Sequence, residues 1–182
     1  GTGSTRLSVD GGWRLPYIGP LGDLYTLTAS LRGDAYWVND VADPDNPNNS
    51  RSSGLTGRVV PQLALDWRYP LVRSTGSIGQ LIEPIVKFAL SPHGGNPKEI
   101  PNEDSQDFEF DDTNLFNSNR FPGLDRVEGG PRVSYGLRLG VFGSGGGRTT
   151  AFIGQSYRAR ADSTFEAGSG LEGNRSDLVG RI

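Results

Sequence analysis

The sequence predicts an all-β protein, specifically an antiparallel up-and-down transmembrane β-barrel segment with about six to seven strands of a larger barrel. Three observations predict this fold class. Apolar and polar residues alternate over long segments, the connections alternate between short and long, and charged residues collect on one side of the alternation. No stretch has the i, i+3, i+4 apolar spacing of an amphipathic helix, so the pattern predicts no helix.

The alternation defines the predicted strands in chain order. They span residues 7–15, 25–37, 58–71, 80–90, 132–141 and 148–158, and a last strand begins near residue 177. In the third segment, Val59, Leu63 and Leu65 alternate with Arg58 and Gln62. Strands in soluble proteins average about 5–6 residues, whereas a strand that crosses a bilayer needs about 9–11 residues. The longer segments therefore favour a membrane barrel.

The connections support the same prediction. Those at 16–23, 72–79 and 143–147 are short, and those at 39–56, 91–131 and 159–176 are long and polar. Bacterial outer-membrane barrels have short periplasmic turns and longer extracellular loops. The connection 91–131 is the longest, and connections of this length are usually functional or disordered. Its evenly spread aromatic residues argue against disorder.

Charged and polar side chains are predicted to share one face of the strands. Burying an unpaired charge in an apolar core costs several kcal/mol, so this face must meet water. In a barrel that face lines the lumen, and in a soluble sheet it is the solvated side; alternation alone does not separate the two. The predicted lumen-facing residues are Arg32, Asp34, Arg58, Gln62, Asp66, Arg68, Glu83, Lys87 and Arg138.

Aromatic residues and prolines add two expectations. Trp and Tyr residues flank the short connections and the long-connection ends, as expected for the girdles at the two membrane interfaces. They are Trp13, Tyr17, Tyr25, Trp37, Trp67, Tyr69 and Tyr135. Pro61 and Pro84 fall inside predicted strands, where each removes a ladder hydrogen bond. They predict bulges, or places where lumen water or a plug reaches the backbone.

Composition and motifs exclude several functions. A formal net charge of −3 gives no basic surface for nucleic acid. There is no Cys, and His93 is the only His, so a transition-metal site or His-based catalysis is not expected. The G-x-G-x-x-G match at 168–173 has no helix after it, so it does not predict a dinucleotide site. We therefore predict neither an enzyme nor a cofactor.

The acidic run from 103 to 112 leaves two interpretations open. Its carboxylates are the ligands that Ca²⁺ prefers, but the run lacks the glycine and spacing of an EF-hand loop. The alternative is a loop that is solvated or paired with arginines. The candidate partners are Arg120, Arg126 and Arg132.

Several sequence motifs resemble the C-terminal barrel region of the LPS-assembly protein LptD family. They are DFEFDDTNLF, NRFPGLDRVEGG, VSYGLRL, FIGQSYR and SGLEGNRSDLVGRI. The resemblance is strongest over 57–182, and residues 1–53 fit by pattern only. Carried onto this chain, the motif positions of the long loop are Asp111, Asp112, Asn114, Phe116, Arg120, Gly123, Asp125 and Arg126.

The resemblance implies a function as well as a fold. Members of this family form the translocon that places lipopolysaccharide on the surface of Gram-negative bacteria, in the outer membrane. The implied partners are lipopolysaccharide, outer-membrane lipid, an LptE-like lipoprotein plug, and a periplasmic LptA-like bridge that binds an N-terminal domain absent from this chain. Residues 1–182 would be part of the barrel domain, with the long loop 91–131. The alternatives are another outer-membrane barrel, such as a porin or receptor, and a soluble all-β glycan-binding module.

Overall fold

The structure is a computed structural model that describes residues 3–42, 51–97, 100, 102–105, 109–160, 164–165 and 168–182. In these residues all regular secondary structure is β-strand. The strands are β1 (Gly3–Ile18), β2 (Leu24–Ala42), β3 (Arg51–Arg68), β4 (Leu71–Thr75), β5 (Ile78–Leu90), β6 (Arg132–Gly143), β7 (Arg148–Arg158) and β8 (Val179–Arg181). The described part of the chain contains no helix that is long and apolar enough to cross a membrane.

The strands form one antiparallel sheet in the order β1-β2-β3-β5-β6-β7-β8. Neighbours in the sheet follow one another along the chain, so the predicted all-β, up-and-down arrangement is confirmed. The sheet is not closed: within the described residues, β1 pairs only with β2 and β8 only with β7.

Strand β4 continues the line of β3. Both pair with β5 in one register, since Arg68 faces Ile85 and Leu71 faces Ile82. The interruption at residues 69–70 coincides with Pro70, which has no N–H to donate. Tyr69 still donates its backbone N–H to the Pro84 carbonyl at 3.1 Å. The two strands therefore act as one long strand with a local break.

Two predicted connections are shorter than expected. Much of 39–56 is strand, because β2 runs to Ala42 and β3 begins at Arg51; residues 43–50 lie outside the described part. A register shift between Val38 and Val41 accompanies this extension. The predicted turn at 72–79 contracts to residues 76–77, where Gly76 has φ 58°.

The prolines do not produce the predicted bulges. Pro61 faces Leu31 and Pro84 faces Leu137, each in an uninterrupted register. The ladder between β3 and β5 begins only at Leu63. Pro61 therefore lies beyond that ladder, where a missing N–H leaves no β5 carbonyl unpaired.

The two faces of the sheet differ in character. One face, here called the apolar face, carries large side chains that are 37–67% exposed. They include Leu7, Val9, Trp13, Val59, Leu63, Leu65, Phe88, Leu139 and Tyr157. The opposite face, here called the capped face, carries charged and small residues, of which Asp34, Arg58, Glu83 and Arg132 are buried. Period-two alternation produces this separation.

Candidate functional site: a cap bound to the polar face

The long connection 91–131, here called the cap, folds onto the capped face. Its two ends meet above the β5–β6 hairpin. Gly130 donates its N–H to the Ser91 carbonyl at 3.0 Å. The Ser91 hydroxyl donates to the Glu128 carbonyl at 2.9 Å. These contacts close the base of the cap into a loop anchored to the sheet.

Arg58 on β3 joins the sheet to the tip of the cap. Its Nε donates to Asp34 on β2 at 2.7 Å. Its Nη1 donates to the carbonyls of Asp125 at 2.8 Å and Gly95 at 3.0 Å, and its Nη2 donates to the Leu124 carbonyl. A planar guanidinium can satisfy several acceptors at once. Arg58 therefore holds the cap by its backbone while its charge is balanced by Asp34.

In the tip of the cap, the carboxylates of Asp125 and Asp104 each accept a hydrogen bond from the other residue's backbone N–H. Asp125 accepts hydrogen bonds from Arg6 at 2.6 Å, from the Tyr36 hydroxyl at 3.2 Å and from the N–H of Glu103 at 2.8 Å. Asp104 accepts in return from the N–H of Asp125 at 2.8 Å. Arg6 of β1 also binds Asp104 at 2.7 Å. One strand cation thus bridges two segments of the cap.

The electrostatics of Asp104 reflect these contacts. Burial acts to raise its pKa, but hydrogen bonds from Arg6 and from the N–H groups of Asp125 and Leu124 outweigh burial. The pKa of Asp104 therefore lies well below its usual range. Gly123 packs directly against this carboxylate with φ 70°, and an added Cβ would lie 2.5 Å from the Asp104 carbonyl oxygen. Glycine is required at that position.

Two asparagine side chains hydrogen-bond to the backbone of residues 126–128, as a neighbouring strand would. Asn96 accepts from the N–H of Val127 and donates to its carbonyl, both at 2.8 Å. Asn119 accepts from the N–H of Glu128 at 2.9 Å and donates to the Arg126 carbonyl at 3.1 Å. These contacts satisfy backbone groups that would be costly to bury unpaired.

Glu128 is the most buried charge in the site, with 0% exposure. Arg120 binds both of its carboxylate oxygens, at 2.8 and 2.5 Å. Arg158 of β7 donates to it at 2.7 Å, and Arg132 of β6 lies 3.7 Å away. This cluster links the cap to two strands through one carboxylate.

The same cluster connects the cap to the second long connection, 159–178. The Arg158 guanidinium lies 4.6 Å from the centre of the Phe165 ring. The Phe165 ring stacks on Phe121 of the cap, with ring centres 4.5 Å apart. Aromatic stacking and cation–π contacts each contribute about 0.5–1.5 kcal/mol. The two long connections therefore pack as one unit over the sheet.

The other motif residues shape the cap or dock it. The Asp111 carboxylate accepts a hydrogen bond from the N–H of Thr113 at 2.9 Å in a local turn. The Asn114 side-chain oxygen accepts a hydrogen bond from the N–H of Asp111 at 3.2 Å. Phe116 packs edge-on against Phe152 of β7 at 6.0 Å. Between them, Leu115 is fully buried against Gly154 of β7. Residues 111–116 therefore pack the cap against β7 through Leu115 and Phe116.

All the predicted lumen-facing residues lie on the capped face. Arg32, Asp34 and Arg58 lie under the tip of the cap. Asp66 faces Lys87 at 3.6 Å and Glu83 faces Arg138 at 2.7 Å, farther along the same face. Gln62 and Arg68 lie on the same face of β3 as Arg58, because they are separated from it by even numbers of residues. That this face lines a lumen stays a prediction.

The predicted charge partners are partly wrong. Arg120 binds Glu128 rather than the acidic run, and Arg126 donates to the Ile100 carbonyl at 3.1 Å. The acidic residues Asp104 and Asp112 instead meet strand arginines, Arg6 and Arg181, with Asp112 at 3.3 Å. The physical reason is reach: the sheet surface presents guanidinium groups directly below the folded cap. Asp107 and Phe108, which belong to the acidic run, lie outside the described residues.

In the part that the structure describes, the carboxylates of Asp104, Asp111 and Asp112 in the acidic run are engaged by arginine side chains and by groups of the cap itself. No group of three or more His, Cys, Asp or Glu side chains is placed to hold an ion there. Asp104 is occupied by Arg6 and backbone N–H groups, and Asp111 by its own turn. The arginine-paired interpretation therefore fits the described carboxylates better than the Ca²⁺ interpretation.

Sequence reasoning did not single out several residues of the site, among them Arg6, Asn96, Arg158 and Glu128. Arg6 lies on the polar side of the alternation in β1, so period two is a usable signal for it. Glu128 has no local signal, because its partners come from the cap and from two strands. Only the folded arrangement identifies it.

Comparison with known proteins agrees with this architecture. The family model for LPS transport system D, LptD, matches residues 1–182. The chain is 25% identical over 165 residues to the LPS-assembly protein LptD of Vibrio cholerae serotype O1, covering 89% of this chain and 19% of that protein. It is 36% identical over 113 residues to the protein of the same name from Acinetobacter baumannii, covering 58% of this chain and 14% of that protein.

A third relative is the LPS-assembly protein LptD of Neisseria gonorrhoeae, 28% identical over 125 residues, with 65% of this chain and 16% of that protein covered. The chain thus spans less than a fifth of the length of these relatives. Together with the all-β sheet, the matches confirm the predicted outer-membrane location. Because the family model covers every residue, the chain belongs to the LptD family of lipopolysaccharide transport proteins.

Proposed function

We propose that this chain forms part of the wall of a β-barrel that assembles lipopolysaccharide at the surface of a Gram-negative bacterium. In this proposal the apolar face meets outer-membrane lipid and the capped face lines the lumen. The cap closes over part of the lumen, and it is positioned by strand arginines. The substrate is lipopolysaccharide, as the names of the relatives suggest. The chain acts in transport and assembly, and no catalytic role is proposed for it.

The observation that carries the proposal is the division of the sheet into two unlike faces. Val59, Leu63 and Phe88 are 67%, 43% and 52% exposed on one face. At roughly 25 cal/mol per Å², a continuous apolar surface of this kind is unfavourable in water and favourable against lipid. The opposite face carries buried ion pairs, such as Arg58 with Asp34 and Arg158 with Glu128. A soluble glycan-binding module has no use for the apolar face.

The open edges support a larger barrel. β1 is 16 residues long, and in the described residues its second edge is unpaired. Unpaired strand edges are not tolerated in the hydrocarbon region of a membrane. Further strands of the same barrel must therefore pair with β1 and with the opposite edge. A porin or receptor barrel would satisfy this requirement too, but the family match favours the lipopolysaccharide transporter.

The finer partners belong to the proposal as well. An LptE-like lipoprotein plug would meet the capped face, and an LptA-like bridge would deliver lipopolysaccharide through a periplasmic domain outside this chain. The charged residues Arg68, Asp66 and Lys87 lie on the capped face toward the short turns, and they would be the candidates to contact such a plug.

The test replaces Asp125 by alanine in the full-length protein. Arg6 and the N–H groups of Glu103 and Asp104 would lose their common acceptor, so the cap should no longer hold its position. We expect less newly made lipopolysaccharide to be reached by a membrane-impermeant label on intact cells, and greater sensitivity to large hydrophobic antibiotics.

The matched control is Asp177→Ala, which removes a carboxylate from the other long connection. It should leave surface lipopolysaccharide unchanged. Arg126→Ala should have a smaller effect than Asp125→Ala, because Arg126 donates to the Ile100 carbonyl and has fewer described contacts. Normal surface lipopolysaccharide after depletion of the full-length protein itself would refute the proposed function.

A further inference from the structure

A step interrupts the apolar face of the sheet where β5 ends. The ladder between β3 and β5 stops at the pair Leu63 and Leu90, while β3 continues to pair with β2 beyond it. The same register carried on along both chains would place Pro61 opposite Pro92, and neither proline has an N–H to donate. The two prolines therefore keep the ladder from continuing, and the chain leaves the sheet for the cap.

A groove of about 680 Å³ lies at this step on the apolar face. Its sides are large apolar residues of four strands that are between 43% and 55% exposed, namely Trp13, Leu31, Leu63 and Leu90. Pro92, at the start of the cap, also lines it. Ligand pockets in proteins span about 300–1,000 Å³, so the groove is large enough for a ligand.

Small residues form the floor of the groove. Ala29 lies between Trp13 and Leu63 in one row of paired residues. Gly11 lies beside Leu31 in a neighbouring row, toward the long connections. A Cβ added to Gly11 would have nothing within 4 Å. The floor is therefore open between walls of large side chains.

The chemistry of the lining selects a hydrocarbon. None of the described residues that line the groove has an ionisable side chain, so a charged group would find no counter-charge there. The Ser91 hydroxyl at its edge already donates to the Glu128 carbonyl at 2.9 Å. Dispersion contacts add up when an occupant touches several walls at once. An extended hydrocarbon chain therefore gains more contact in the groove than on a flat wall.

The position of the groove along the strands indicates which part of a lipid reaches it. On β2, Leu31 is midway between Tyr25 and Trp37, the aromatic residues at the two ends of the apolar stretch. On β5, Leu90 is the last residue before the cap. Bacterial outer-membrane barrels place their long loops outside the cell. The groove therefore runs from the middle of the apolar band toward its outer side, at the depth of the acyl tails of the outer leaflet.

We propose that this groove holds an acyl chain of a lipopolysaccharide molecule in the outer leaflet. The inference rests on the proposed function, which delivers lipopolysaccharide to this side of the membrane. Because Pro92 belongs to both the groove and the cap, the acyl chain touches the base of the cap from the lipid side. The site is separate from the capped face, since it lies on the opposite surface of the sheet.

The test isolates the full-length protein from outer membranes in mild detergent and identifies the retained lipids by native mass spectrometry. Ala29→Trp fills the floor of the groove. We expect the species with the most lipopolysaccharide bound to fall at least about tenfold in this variant. Ala35→Trp is the matched control, because Ala35 lies on the same face of β2 and outside the described lining. It should retain lipopolysaccharide like the wild type.

A second pair of variants keeps the test valid if Ala29→Trp fails to fold. Gly11 and Gly33 both lie on the apolar face, and a Cβ added to either has nothing within 4 Å. Gly11 lines the groove, whereas Gly33 lies between Val9 and Val59 in another row. Gly11→Leu should therefore lower the retained lipopolysaccharide, and Gly33→Leu should not.

The outcomes separate this inference from the proposed function. Retention in Ala29→Trp and Gly11→Leu equal to that of their controls would overturn the site. Loss of a phospholipid in place of lipopolysaccharide would overturn the assignment of the occupant. In both cases the proposed function would stand if depletion of the full-length protein still lowered surface lipopolysaccharide. Normal surface lipopolysaccharide after depletion would refute the proposed function whatever the groove retains.

Discussion

At the scale of single residues, the site depends on buried charges that have partners. Glu128 is fully buried, and Arg120, Arg132 and Arg158 surround it. Burying such groups is favourable only when their hydrogen bonds are satisfied, and removing the carboxylate takes a buried charged partner from Arg120. A single carboxylate thus contributes contacts to three guanidinium groups under the cap.

Replacing Glu128 by alanine should accordingly destabilise the full-length protein by about 3–5 kcal/mol, the usual cost of breaking a buried ion pair. The measurement is the thermal unfolding of the purified protein in detergent, followed by circular dichroism. Glu172→Ala, on the exposed part of the second long connection, is the matched control and should unfold like the wild type. Equal melting temperatures for the two variants would contradict the structural role of Glu128.

Glycine at 154 makes a second prediction at this scale. Gly154 of β7 faces Gly136 of β6, and an added Cβ would lie 2.5 Å from Leu115 Cδ2 of the cap. Gly154→Ala should push Leu115 out and cost about 1–3 kcal/mol by overpacking. Gly145→Ala is the control, because nothing lies within 4 Å of its Cβ position. The same unfolding measurement distinguishes them. An unchanged melting temperature for Gly154→Ala would show that Leu115 is not held in close contact with Gly154.

At the scale of elements, the strands were predictable and the cap was not. Period two located the strands from β1 to β7 except β4, most of which falls in the predicted connection 72–79, because a sheet with two unlike faces imposes that alternation. The cap has no period, since its backbone is satisfied by side chains such as Asn96 and Asn119. Its contacts also join residues far apart in the chain, as between Arg6 and Asp125, which are 119 positions apart. Sequence pattern alone contains no such pairing.

The cap should respond to acid through Asp104. Its pKa in the folded protein is below its ordinary value, so its contribution to stability is complete above the unfolded pKa of about 3.9. That contribution is lost as the pH falls from there through the folded pKa. Below about pH 4, we therefore expect the tip of the cap to loosen.

Hydrogen exchange in the purified full-length protein measures this loosening. The N–H groups of Leu124 and Asp125 donate to Asp104 and should lose protection in acid. The N–H of Val127 donates to Asn96, which does not titrate, and provides an internal control. Asp104→Asn should show low protection at 124 and 125 at every pH. Unchanged protection of the wild type between pH 6 and pH 3 would count against this role of Asp104.

At the scale of the whole molecule, the two unlike faces of the sheet require different surroundings. Lipid on the apolar face and water on the capped face would account for the exposed leucines and for the buried ion pairs together. The loop lengths add a direction: the cap and the other long connections lie at one end of the strands, and the turns at 19–23, 76–77 and 144–147 lie at the other.

The last prediction tests this arrangement with single cysteines in the full-length protein; residues 1–182 contain no Cys of their own. Leu63 and Leu65 lie on the apolar face, and Gln62 and Asp66 lie on the capped face of the same strand. In a membrane wall, lipid should shield cysteines at 63 and 65 from a water-soluble maleimide, while those at 62 and 66 react through lumen water. In a soluble sheet, by contrast, cysteines at 63 and 65 would be labelled readily because their side chains are exposed. Labelling of intact vesicles, with detergent-denatured samples as the full-reaction control, distinguishes the two. Equal labelling at all four positions would rule out a lipid-facing role for this strand.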